Sequence, residues 1–350
     1  MRLGGDFEID PSVLFQAEAS NFPLLPNHFK LWVDTGRSAI SLALQEIISR
    51  GGVRKALLPA YICPTVVKPF LKIGFQVRFY NSDFANKRPE VETGETLLFA
   101  HYHGIRNLPA IEWIKEQRTK FDIFVIEDAV QASLNTNIGD TGDFVITSLR
   151  KFLPQPDGAI LASNRKMTFS EIDGPSEEFI SAKLIGKLLR QFSVADQQFL
   201  KILKDAEDLL SDSRPRRMST VSNYLWKRTD VQNIATTRRG NWAYLNQGLK
   251  RAGLHQMMTP FVTELNSGEV PLGFSVRILD GFRDRLREFL RTKSIYSSIH
   301  WQLDHLTDSD SKFFEELNLS NSTLTLPIDQ RLNFTHMDYL ISSIKEFYSH

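Results

Sequence analysis

Asp128 and Lys151 stand 23 residues apart, the first in IEDAVQA (126–132) and the second in TSLRKFLPQPDG (147–158). A carboxylate and a primary amine in these two settings match the needs of one cofactor. Pyridoxal phosphate (PLP) needs an amine to hold its aldehyde as a Schiff base. It also needs a carboxylate to keep its pyridine nitrogen protonated, so that the ring can take up electrons. Lys151 is the candidate catalytic residue and Asp128 the candidate partner of the ring nitrogen. On its own, Asp128 would read as a strand-end turn residue and Lys151 as a solvated lysine. Their order and context make the pair.

The flanking residues say how the two would be positioned. In FDIFVIEDAVQAS an apolar run, Ile123 to Ile126, ends in Glu127-Asp128. That places the carboxylate at the carboxyl end of a buried strand, where open α/β sheets bind ligands. In GDFVITSLRKFLPQPDGAILAS a strand from Phe144 to Thr147 delivers Ser148 and Lys151, and a turn marked by Pro154, Pro156 and Gly158 leads to a second apolar run, Ala159 to Ala162. Lys151 is therefore expected on a loop between strands, where desolvation makes a lysine a usable nucleophile.

Upstream, LWVDTGRSAISLALQEIISRGG runs from a strand through a turn into an amphipathic helix carrying Ile40, Leu44 and Ile47, and stops at Gly51-Gly52. KALLPAYICPTVVKPFLKIG repeats that form, closing at Gly74. Strands at 75–80 and 96–104, a helix at 110–118 and the Asp128 strand continue the alternation. The fold class is α/β, with a mostly parallel sheet covered by helices. Residues 174–210 read as helical and charged, followed by the basic stretch SRPRRMS (213–219), a solvated loop or a surface for an anion. A long helix at 229–250 leads into a tail of strand (274–280), helix (282–293), strand (324–329) and a final helix, MDYLISSIKEFY. The expected division is a large cofactor-binding domain, 1–225, whose 165–225 part is helical and divergent, and a unit at 226–350 made of the long helix and a small C-terminal α/β domain.

Composition is that of a soluble enzyme. Forty-two Lys+Arg against 41 Asp+Glu leave a net charge of +1, which argues against general nucleic-acid binding. The single cysteine, Cys63, allows no intramolecular disulfide and fits a reducing compartment. The start, MRLGGDFEIDPSVLF, lacks the pattern of a signal peptide, and no run approaches the apolar length of a membrane span, so a cytoplasmic location is expected.

The motifs together resemble the fold-type I PLP-dependent transferases, and within them the DegT/DnrJ/EryC1/StrS aminotransferases. GGDF near the start, TGRSAI, LLPAYICP, FAHYHG with its helix IEWIKE, VIEDAVQA, the Ser-Lys loop, RRGNW (238–242), IHW and LTLPID carry the likeness. The resemblance implies that Lys151 is the Schiff-base lysine, Asp128 the partner of the pyridine nitrogen, and Gln131 a donor to the ring hydroxyl oxygen. It places the phosphate where Gly36, Arg37 and Ser38 open a helix, with Ser148 adding a hydroxyl. TGRS alone would read as an ordinary helix cap.

Three positions depart from the family pattern. The aromatic expected four residues after Pro59, which stacks on the cofactor ring, is Cys63. Tyr61, an aromatic of His101-Tyr102-His103, or Cys63 itself are the alternatives, and a buried structural cysteine is the plain reading of Cys63. The usual SxHxxK is here SLRK, closer to the SxHK of class V aminotransferases and desulfurases, with Arg150 in place of histidine. The G-N-Y-R segment, through which a partner subunit reaches the phosphate, is reduced to Asn223-Tyr224. His101 and His103, two apart on a predicted strand, would share a face toward substrate. Without nearby cysteine or a third spaced histidine they do not make a metal site. His300-Trp301 reads as packing of the small domain.

The implied activity is transfer of an amino group from a glutamate-like donor to a nucleotide-linked keto-sugar, by a cytoplasmic homodimer with small-molecule partners only. Two other readings stay open. One is a different PLP reaction on an amino acid, such as desulfuration, elimination or aldol cleavage. The other is a non-catalytic regulator that binds PLP or a nucleotide sugar.

Overall fold

The computed structural model describes residues 2–19, 24–82, 88–169, 171–192, 196–210, 214–279, 281–306 and 311–349. Ser213 of the basic stretch, Asp280 at the end of a predicted strand, and 193–195 within the predicted helical segment lie outside them.

The amino-terminal strand β1 (Leu3–Gly4) precedes β2 (Phe29–Val33), α1 (Gly36–Ser49), β3 (Lys55–Pro59), α2 (Pro64–Ile73), β4 (Gln76–Tyr80) and β5 (Thr96–Ala100). Then come α3 (Leu108–Gln117), β6 (Phe124–Asp128), β7 (Phe144–Ser148) and β8 (Ala159–Ser163). β2 to β8 form one seven-stranded sheet in the order β2-β8-β7-β6-β5-β3-β4. β7, β6, β5, β3 and β4 are parallel, while β8 runs antiparallel to both β7 and β2. A mostly parallel sheet is what the alternating motifs predict. β5, β7 and β8 are buried along their whole length, as apolar strands covered on both faces must be.

Local chemistry sets the boundaries around the site. Thr35 caps α1 by accepting the Ser38 N–H at 3.2 Å, which leaves the N–H groups of Gly36 and Arg37 without a partner inside the helix. Pro64 opens α2, and Gly74, left-handed at φ 85°, closes it. The predicted strand over 96–104 ends early, at Ala100. The chain turns because His103 (φ 59°) and Gly104 (φ 89°) are both left-handed, which pleated backbone does not allow. A Cβ on Gly104 would lie 2.4 Å from the Val270 carbonyl oxygen. Gly104→Ala is therefore expected to destabilise the protein by about 2–4 kcal/mol, combining left-handed strain with a backbone clash; a wild-type urea midpoint in this variant would show that the turn relaxes.

The predicted helical stretch 174–210 is two helices, α4 (Glu177–Gln191) and α5 (Asp196–Asp208), followed by α6 (Thr220–Lys227) and α7 (Val231–Arg251). The remainder holds β9 (Met258–Pro260), β10 (Phe274–Ile278), α8 (Arg283–Thr292), β11 (Ile295–Tyr296), α9 (Phe314–Ser322), β12 (Thr323–Leu326) and α10 (Phe334–Tyr348). β12, β10 and β9 make an antiparallel sheet. α7, α8 and α10 pack on it through Leu245, Leu249, Leu286, Leu290, Leu340 and Ile344, all fully buried. β1 pairs with β11, so Leu3 joins this second core rather than the seven-stranded sheet. No helix among the described residues is long and apolar enough to cross a membrane.

Candidate active site

A cavity of about 800 Å³ lies at the carboxyl end of the parallel strands. Its wall brings together Asp128 and Gln131 after β6, Ser148, Arg150 and Lys151 after β7, and Gly36 and Arg37 at the start of α1. β6 and β7 are adjacent, with Asp128 opposite Ile146, so the 23-residue separation in sequence collapses to neighbouring strand ends. Cys63 and His101 share the same wall, as do Gly4, Gly5, Asp6 and Phe7 of the GGDF motif.

Asp128 is 6% exposed. Burial pushes its carboxyl up to about 6, against the pull of the Val130 N–H and of the neighbouring His101 and Lys151. Its Oδ1 accepts the Val130 N–H at 3.0 Å, which fixes the carboxylate at the head of the turn. A buried carboxylate in that state has gained less than it needs from its own chain and is ready to be completed by a cationic partner. Gln131 accepts the His103 N–H through Oε1 at 2.7 Å, so its amide nitrogen is the end left to donate. Ser148 is held by Ser133, whose Oγ accepts the Ser148 N–H at 2.9 Å.

Lys151 ends a single 3-10 turn, Leu149–Lys151, and its side chain is exposed. The side chain is not buried as the sequence leads one to expect, because the turn carries Lys151 out of the apolar layer that buries Leu149 and Phe152 and onto the cavity wall.

The residues proposed for ring contact separate. Cys63 is half-buried on the wall, with Sγ 3.0 Å from Thr65 Oγ1. Tyr61 turns away: it is 1% exposed, its hydroxyl donates to the His300 carbonyl, and its ring packs against Tyr102 and Trp301. Tyr102 donates to the Tyr61 carbonyl at 2.8 Å, so both tyrosines serve an aromatic cluster behind the wall. His101 and His103 do not share a face, since the left-handed backbone at His103 ends the strand alternation between them. His103 instead packs on Phe261, 4.8 Å between ring centres, and both its ring nitrogens are buried without a hydrogen-bond partner. Burial pushes His103 down to about 4, keeping it neutral.

His101 is anchored at both nitrogens. Nδ1 accepts the Asn107 N–H at 3.1 Å, so Nε2 carries the proton and donates to Glu127 Oε1 at 2.9 Å. Burial alone would raise Glu127, but His101 and the N–H groups of Gly139 and Gly142 hold it below its ordinary value. The result is a fixed, flat imidazole beside Asp128.

Besides Tyr61, Tyr102 and His103, two further predicted residues fall outside the wall. Ser38 lies within the α1 cap, where its Oγ accepts from the Thr35 hydroxyl at 3.2 Å. Asn223 is exposed on α6 and does not reach the cavity of its own chain. Conversely, His300 and Trp301 form part of the wall rather than mere packing, and Lys183, Lys187 and Glu207 of the divergent segment reach it too. Their i, i+4 spacing puts Lys183 and Lys187 on one helix face, but a pair of lysines among Leu and Ile reads from sequence as a solvated face, not an inward one.

Among the described residues no group of three His, Cys, Asp or Glu is placed to hold a metal. The donor set suits PLP instead: a buried carboxylate, an amide donor, two open N–H groups at a helix start with a serine nearby, and a lysine amine.

No family model and no curated protein matches the chain. Solved structures do. The PLP form of a Streptococcus pneumoniae protein assigned as a sugar aminotransferase superposes with a TM-score of 0.69 over 99% of this chain and 98% of that one, at 11% identity. The aminotransferase TlmJ from Streptoalloteichus hindustanus gives 0.65 over 91% and 86%, at 16% identity. A DegT/DnrJ/EryC1/StrS aminotransferase from Brucella abortus gives 0.61 over 98% and 92%, at 16% identity. The resemblance carried by the motifs thus extends over nearly the whole chain, and the protein has the fold of the fold-type I PLP-dependent aminotransferases.

Proposed function

We propose that the protein is a PLP-dependent aminotransferase that moves an amino group from a glutamate-like amino acid to a keto-sugar nucleotide. The observation that carries the reading is the convergence of Asp128, Lys151 and the open start of α1 on one cavity. PLP, when bound, supplies an electron sink for the pair released at the carbon bearing the amino group. Gly36, Arg37 and Ser148 would bind its phosphate, the Asp128 carboxylate would hold a proton on the ring nitrogen, and Gln131 would donate to the ring oxygen. His101 and Cys63, the two ring-contact candidates on the wall, would pack on the cofactor face. Lys151 Nζ would anchor the cofactor before substrate arrives and then, as a free amine, move the proton off the substrate carbon.

The neighbours in the fold support the sugar acceptor, two of them being described as sugar aminotransferases from Streptococcus pneumoniae and Micromonospora echinospora. A homodimer belongs to the reading as what the likeness to the family implies. The short SLRK spacing favours, as a second reading, a different PLP reaction on an amino acid.

An absorbance spectrum of the protein with added PLP, taken before and after glutamate, tests the proposal. The expected result is a visible band that glutamate bleaches. A band indifferent to glutamate but altered by another amino acid favours the second reading, and no band at all overturns both.

A further inference from the structure

Helix α4 buries cations alongside its apolar Phe179 and Ile180. It buries Lys183, Lys187 and Arg190, spaced i, i+4, i+7 on one face, while Ile185 is 51% exposed. Lys183 and Lys187 are each 5% exposed and both form part of the cavity wall. Burying two ammonium groups four residues apart is costly unless anions meet them. Arg190 finds Glu8 at 3.0 Å. The two lysines are provided for more thinly. Lys187 Nζ donates to the Phe7 carbonyl at 3.0 Å, and Lys183 Nζ donates to the Leu203 carbonyl at 2.9 Å and pairs with Glu207 at 2.6 Å.

Glu207, at the end of α5, is also the acid paired with Arg150 and, at 3.5 Å, with Arg37. One carboxylate thus serves three cations from α1, the lysine loop and α4, with Lys187 beside them. Burial would raise Glu207, but Arg150 and Lys183 hold it down to about 2, so it is a permanent anion at working pH. Burial also pushes Lys187 down to about 7, poised to charge when an anion approaches. α5 reaches this position because Gly186 lets it cross α4 closely; a Cβ there would lie 2.7 Å from Leu203.

We propose that Arg37, Arg150, Lys183 and Lys187 form a subsite for a phosphoryl group, which Glu207 occupies as an internal stand-in until the ligand displaces it. A phosphoryl dianion offers three acceptor oxygens to cations that now share two. The group comes either from the cofactor or from the substrate. This inference deepens the proposed function and rests on it for the source of the group, while its first probe, inorganic pyrophosphate, needs no bound cofactor.

The test is pyrophosphate binding by calorimetry to the wild type and to Lys183→Met, Lys187→Met and Glu207→Gln, with melting temperatures confirming that each is folded. The lysine variants are expected to bind about tenfold or more weakly. Glu207→Gln, which removes the competitor and keeps the shape, is expected to bind several-fold more tightly. Glu207 is partly exposed, so this variant stays informative if a lysine variant fails to fold. Comparison of PLP with pyridoxal then assigns the source. If Glu207→Gln tightens PLP but not pyridoxal, the subsite takes the cofactor phosphate; if it leaves both unchanged yet tightens pyrophosphate on PLP-loaded protein, it takes the phosphoryl group of the substrate. Weaker pyrophosphate binding by Glu207→Gln would make Glu207 a positioning residue and overturn the proposal, as would lysine variants that bind like wild type. A protein that binds pyrophosphate as expected but never binds PLP would sink the aminotransferase reading alone.

Discussion

Lys151→Ala is expected to abolish the PLP-dependent visible band and to lower amino transfer by a factor on the order of 10³ or more, while leaving the fold intact. Two roles converge on this amine. In the proposed reading it would hold the cofactor and, as a positioned base, would move the proton at the substrate carbon, a contribution that by itself reaches about 10²–10⁴. The side chain is exposed at the end of a one-turn helix, so stability should change by no more than about 0.5 kcal/mol. The neighbouring groups that would bind phosphate and ring stay in place, and the variant should still bind PLP, weakly and without the band. Spectra and a thermal melt together decide the matter. A variant that keeps both band and turnover would show that another amine does the work; one that loses activity only by unfolding would make Lys151 a structural residue.

What could be read from the sequence was whatever is coded locally. The cap at Thr35, the stop at Gly51-Gly52 and the opening proline of α2 are single-residue signals, and the observed α1 and α2 follow them. Asp128 and Ser148 could be placed because each ends an apolar run that can only be a covered strand. The histidines could not. Whether His103 continues a strand depends on a left-handed backbone set by the close approach of residues 270–272 to Gly104, a contact between segments more than 160 residues apart. Tyr61 was misplaced for the same kind of reason, since the partner that draws its hydroxyl away is the His300 carbonyl. The divergent segment was hardest. A helix that buries Lys183 and Lys187 while exposing Ile185 runs against the pattern by which amphipathic helices are read, and the role proposed for it emerges only when Arg37, Arg150 and Glu207 are seen beside it. The same placement joins the proposed function to the fold: the cations that α4 turns inward share one wall with Arg37 of α1, where the phosphate is proposed to sit, and with Asp128, proposed for the ring nitrogen.

Asp128→Asn should separate the cost of that carboxylate from its use. Burial raises Asp128 from 3.8 to about 6, so in the cofactor-free protein folding favours its protonated form. The sign follows directly. The favourable contribution is fully present below about pH 4 and is lost as pH rises through about 6, which makes the ionised side chain a burden of about 3 kcal/mol at pH 8. Asparagine keeps the shape and an oxygen for the Val130 N–H, which now reaches Oδ1 at 3.0 Å, and carries no charge. Cofactor-free Asp128→Asn is therefore expected to melt higher than wild type at pH 8, by an amount that shrinks toward zero at pH 4. With PLP the order should reverse, because only the carboxylate can hold a proton on the ring nitrogen. Wild-type affinity should gain on the variant as pH rises through 6, and turnover of the variant should fall by a factor on the order of 10²–10⁴. Melting curves at both pH values, with and without PLP, contain the whole test. A variant less stable than wild type at every pH would mean that Asp128 is satisfied by its own chain; a variant that gains stability but loses no PLP affinity would remove it from the cofactor site. The expected crossing is a site residue held in an unfavourable state by the fold and stabilised by its ligand, which is how a cavity of this kind selects a cationic ring.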